Sequence, residues 1–144
     1  MDKSILKAAA AKYGTPCFLF DEEALARRMR EAKAIAGDSV HLCYSIKANP
    51  FLIPVMSRLV ELLEVCSPGE LIICEDLGVD PATILFSGVN KTREDILHAI
   101  DAGVRRFTAE SPLHIRLLDE CARERGLVLP TILRLTAGSQ FGMD

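Results

Sequence analysis

The sequence predicts an α/β fold built on a parallel sheet. Three observations carry that prediction. Short β-rich runs begin at Val40, Leu62, Ile84, Arg105 and Pro130, 21 to 25 residues apart. Helical patterns with clear start and stop signals lie between them. Strand and helix alternating at this period is the signature of βαβ units. Two architectures satisfy it, a doubly wound open sheet and a (β/α)8 barrel. No GxGxxG follows the first run, which speaks against a dinucleotide-binding unit. A complete barrel takes eight strands and about 250 residues, so on that reading these 144 residues hold about five βα units.

The elements follow in order. "MDKSILKAAAAKYG" is an amphipathic helix, and "PCFLF", from Pro16 to Phe20, is a short strand candidate. "DEEALARRMREAKAIAG" starts a helix at Asp21 and stops it at Gly37. "VHLCYSIKA" is the first rhythmic strand, and Asn49-Pro50 opens the helix after it. In "SPGELIICEDLG", Ser67 is the N-cap, Pro68 takes the first helical position and Glu70 closes a capping box. "TREDILHAIDAG" repeats the scheme with Thr92, Asp95 and Gly103, and "SPLHIRLLDECARERG" with Ser111, Pro112 and Gly126.

Composition narrows the function. About 49% hydrophobic residues is enough for a sizeable core, and a net charge of −3 with no basic block argues against nucleic acid or an anionic membrane as partner. The amino terminus lacks the apolar core of a signal peptide, so the expected compartment is the cytoplasm. Five cysteines at irregular spacing read as reduced, buried thiols, and the three histidines show no ligand spacing with them, so no metal site is expected.

Strand alternation singles out Lys47. In "VHLCYSIK", Val40, Leu42, Tyr44 and Ile46 form a large apolar face, and His41, Cys43, Ser45 and Lys47 a small or polar one. Lys47 falls at the carboxyl end of the strand, where ligands bind in both competing architectures. Arg134 in "TILRLT" shares a face with Ile132 and Thr136, and Glu64 in "LLEVCS" lies just inside the end of its run. One lysine, one carboxylate and one guanidinium are therefore expected at the same rim. Each also has an ordinary reading as a solvated or structurally paired charge.

At "YSIKANP" the sequence resembles the pyridoxal-phosphate-dependent decarboxylases of the alanine-racemase-like fold (fold type III), nearest to the diaminopimelate decarboxylases. Further segments fall in the family's order: "GTPCFLFDEEAL", "LEVCSPGEL", "ILFSGVNKTREDILHAIDAGV", "FTAESPLHIRLL", "ILRLT" and "SQFGMD". The resemblance implies the barrel and makes this chain its N-terminal portion, a single domain over residues 1–144. It implies amino-acid decarboxylation with pyridoxal 5'-phosphate carried as an aldimine on Lys47, because a deprotonated amine adds reversibly to an aldehyde. Glu64, where the family usually has Asp, and Arg134 would face the cofactor. Gln140 stands where a lysine is usual, and the insert after "LRLT" is short, which marks a divergent branch. The family's glycine-rich phosphate loop, ring-stacking histidine, pyridine-nitrogen partner and C-terminal β-domain lie beyond a point equivalent to Asp144. The expectation is thus a catalytically incompetent, self-associating chain; its rivals are a truncated non-catalytic fragment, a cofactor carrier or racemase-like member of the same fold, and an unrelated flavodoxin-like module.

Overall fold

The computed structural model describes residues 2–135, and two compact units divide them at Val40. The first unit holds α1 (Lys3–Tyr13) and α2 (Glu22–Ala36). Asp2 caps α1 by accepting from Ser4 N at 3.2 Å, and Asp21 caps α2 by accepting from Ala24 N at 3.0 Å. The strand expected over Pro16–Phe20 does not form: Pro16 lies in a bend, the residues after it enter no ladder, and a strand exists only where a partner takes its backbone hydrogen bonds.

The second unit contains β1 (Cys43–Ser45), α3 (Ile53–Met56), β2 (Leu62–Val65), α4 (Pro68–Asp76), β3 (Ile84–Phe86), α5 (Arg93–Asp101), β4 (Arg106–Ala109), α6 (Pro112–Glu124) and β5 (Thr131–Leu133). All five strands are parallel, and their order in the sheet is their order in the chain. That order decides between the two architectures. A doubly wound sheet reverses at a switch point, whereas right-handed crossovers that always step the same way place every helix on one face. The sheet is therefore singly wound, as in a (β/α) barrel, and comprises part of one.

The two faces differ as this winding requires. Leu63, Val65, Ile84, Phe86, Phe107 and Ala109 point to one side and are almost fully buried. They meet Leu71 and Cys74 of α4, Ile96, Ala99 and Ile100 of α5, and Leu118 and Cys121 of α6, which are buried too. The Phe86 and Phe107 rings lie 6.0 Å apart at 59°, a tilted pair at the centre of this layer. Pairing of Ser45 with Glu64 and of Glu64 with Leu85 puts those side chains on the opposite face. Cys74 and Cys121 are buried as the composition suggests, but Cys17 and Cys43 are exposed.

Local chemistry starts the helices where the sequence places them. Ser67, Thr92 and Ser111 each accept from the backbone three residues on, and Thr92 with Asp95 forms a reciprocal capping box. The Glu70 carboxylate departs from its expected role. It accepts from Cys66 N at 2.8 Å, one residue before the cap. The first rhythmic strand is shorter than its pattern. β1 stops at Ser45, residues Ile46–Ala48 make a 3-10 turn, and a second such turn, Pro50–Leu52, precedes the four-residue α3. Among the described residues, no helix is long and apolar enough to cross a membrane.

Candidate active site

Lys47 is not on the strand itself but in the turn that follows it. Ile46 is fully buried and anchors that turn, while Lys47 is exposed. Tyr44 Oη donates to Asn49 O at 3.0 Å, which ties the turn back to the strand. Asn49 then caps the next turn by accepting from Phe51 N at 3.1 Å. The lysine is thus held at the carboxyl end of β1 by its neighbours rather than by its own contacts.

Glu64 is the second strand's contribution. Burial pushes its carboxyl up, but the hydroxyls of Ser45 and Ser87 and the charges of Lys47 and Arg134 outweigh burial, so it is held below the usual glutamate value. Ser45 Oγ is buried and has no hydrogen-bond partner of good geometry, so it acts on Glu64 as a nearby dipole. Ser87 is fixed by its backbone, its N–H donating to Val65 O at 2.7 Å. Arg134 follows β5 and is fixed in the same way, its N–H donating to Ala109 O at 2.8 Å. Its guanidinium lies 3.6 Å from Glu110 Oε1. The structure thus brings Lys47, Glu64 and Arg134 to one rim; Thr136 and Gln140 lie outside the described residues.

Alternation had the power to find more. Ser87 lies two residues beyond Leu85, and Glu110 two beyond Thr108, on the face that carries Glu64. Lys91, in the turn after β3, is buried at 4% exposure. Burial lowers its pKa, with Glu110 and Cys66 opposing. His114 is buried in the first turn of α6. Its Nδ1 accepts from Glu110 N at 3.4 Å, which requires the neutral ring with its proton on Nε2.

That ring gives the fold a pH dependence. Burial first, then the charge on Lys91, lowers the His114 pKa, with Glu110 opposing. As pH falls through about 6.5, the ordinary histidine value, the unfolded chain takes up this proton before the folded one does. Stability is therefore expected to be full above that pH and to decline below it. Urea midpoints at pH 7.5 and 5.5 check this: His114→Gln should flatten the difference, and an unchanged slope would refute the assignment.

An exposed amine at the end of a parallel strand thus lies beside a charged carboxylate on a singly wound α/β sheet. A family model, the pyridoxal binding domain of the pyridoxal-dependent decarboxylases, matches residues 22–142. The chain belongs to that family. Diaminopimelate decarboxylase of Pseudomonas aeruginosa is 35% identical over 133 residues, covering 90% of this chain and 32% of that protein. The enzyme of the same name from Mycobacterium tuberculosis is 34% identical over 137 residues, covering 92% and 30%. The chain spans about a third of the length of these curated relatives. Among solved structures, diaminopimelate decarboxylase from M. jannaschii in complex with L-lysine superposes with a TM-score of 0.70 at 29% identity, covering 88% of this chain and 31% of that one. Lysine decarboxylase from Selenomonas ruminantium, at 22% identity and a TM-score of 0.78 over 100% of this chain and 38% of that one, shares the fold.

Proposed function

We propose that Lys47 holds pyridoxal phosphate through its amine and that the site decarboxylates an amino acid, most simply a diamino acid such as meso-diaminopimelate. The supporting observation is the placement of an accessible amine next to Glu64, on the face that the helices leave open. The residues suit the cofactor: an amine for its aldehyde, with a carboxylate and a guanidinium on the same rim. When bound, pyridoxal phosphate supplies an electron sink for the pair left behind as the substrate's carboxyl departs as CO2.

The chain's own groups divide the remaining work. Glu64 is held charged by two hydroxyls and two cations, so it is a poor proton acceptor near neutral pH. Its role is to orient the Lys47 amine and balance its charge. The proton carrier at this rim is then the Lys47 Nζ itself. Arg134, tied to β4 by its backbone and facing Glu110, keeps a fixed positive charge on the far side of Glu64 from Lys47.

Release of CO2 from meso-diaminopimelate, L-lysine and L-ornithine, measured with and without added pyridoxal phosphate, tests this reading. Cofactor-dependent release from meso-diaminopimelate is the expected result. Cofactor retained at Lys47 with no CO2 from any of the three would assign the chain to a carrier or racemase-like role and overturn the decarboxylase reading.

A further inference from the structure

Lys91 has no part in the chemistry above, yet it is the most deeply buried charged side chain among the described residues, at 4% exposure. A buried ammonium costs several kcal/mol unless its donors and its charge are both met. Here they are met from the turn after β3 and from β4 with the residue that follows it. The amine donates to Gly88 O, in its own turn, and lies 3.4 Å from Thr108 Oγ1 on β4. Glu110, just past β4, supplies the opposing charge. Glu110 Oε1 is itself buried without a hydrogen-bond donor, and its other neighbouring cation is Arg134.

The turn that Lys91 closes has no slack. Gly88 is buried, and a Cβ there would sit 2.6 Å from the Cys66 carbonyl oxygen and 3.8 Å from Lys91 Cγ. The turn therefore rests directly on the end of β2, with the lysine's stem over it. Ser87, immediately before Gly88, is one of the hydroxyls that face Glu64. Without the amine, the Gly88 carbonyl would lose its partner and the turn its only bond to β4 through this side chain.

We propose that Lys91 is a positioning residue of this site: its ammonium pins the Ser87–Gly88 turn to β4 and offsets Glu110, so that Ser87 and Arg134 are both presented to Glu64. This rests on the reading of Glu64 as a site residue. Charge alternates along the rim, from Lys47 to Glu64 to Arg134 to Glu110 to Lys91, so each member is flanked by opposite sign. Lys91 ends that series and is the member with no solvent to fall back on.

Carbon-13 NMR titration of the Glu64 carboxyl in the full chain tests the proposal, with Glu64→Gln assigning the resonance. Lys91→Met removes the ammonium and keeps the stem. Thr108→Val removes the hydroxyl partner and keeps the charge. In both folded variants the carboxyl is expected to titrate higher than in the unsubstituted chain. A shift in Lys91→Met alone would mean that the ammonium acts only through its charge, and that result overturns the positioning role, as does no shift in either. If Lys91→Met does not fold, Thr108→Val decides. Retention of pyridoxal phosphate by the unsubstituted chain is measured alongside. Failure to retain it removes the functional reading, whereas an unmoved Glu64 removes only the role of Lys91.

Discussion

Lys47→Ala is expected to abolish covalent retention of pyridoxal phosphate. After borohydride reduction and proteolysis, mass spectrometry should find the phosphopyridoxyl label on the peptide containing Lys47 in the unsubstituted chain and on no peptide of the variant. The loss should be complete because the rim offers no substitute. Lys91 is the other lysine on this face, and its amine is buried and occupied by Gly88 O and Thr108. An amine must be free and deprotonated to add to an aldehyde. Label persisting at the same stoichiometry in Lys47→Ala would defeat the assignment of this residue.

The second large effect is on stability. Phe107 is fully buried, packs against Phe86, and lies in the middle of the helix-covered face. Truncation to alanine removes a ring that the surrounding strands and helices cannot collapse to replace, and costs about 3–5 kcal/mol. Domains of this size are stable by about 5–15 kcal/mol in total, so the variant should lose a large share of its stability. Leu133→Ala, at a position 58% exposed at the end of β5, should change stability by only about 0.5 kcal/mol. Urea midpoints compare the two, and equal effects would contradict the placement of Phe107 in the buried core.

Much of this architecture was legible because its signals are local. The caps at Ser67, Thr92 and Ser111 need only residues within one turn, and each forms. The strands beginning near Leu62, Ile84, Arg105 and Pro130 are short apolar runs between such caps, and each lies within a residue of its expected start. What failed depends on partners distant in sequence. Pro16–Phe20 has strand composition but no ladder. The run from Val40 to Ala48 alternates throughout, yet β1 pairs with β2 only from Cys43 to Ser45. Beyond it Ile46 turns inward, and Pro50 holds Asn49 extended so that a new turn begins.

The site divides along the same line. Lys47, Glu64 and Arg134 could be read one strand at a time, since each ends a run with a charge on the polar face. Alternation alone puts Ser87 and Glu110 on the polar face, but which charges they and Lys91 meet depends on register between strands, and a single strand's pattern does not carry register. Glu70 shows the limit at its smallest scale. Its position three residues after Ser67 is legible, but its choice of the Cys66 N–H is set by how the chain leaves β2.

The sheet's monotonic order has a consequence for how the chain assembles. Each new strand docks beside the one made just before it, so every closure spans one helix and its two turns, and the entropic cost of successive closures hardly changes because it grows only with the logarithm of loop length. Nothing synthesised later has to be threaded between strands already in place. Growth can proceed in the direction of translation, each unit using the exposed edge of its predecessor as a template.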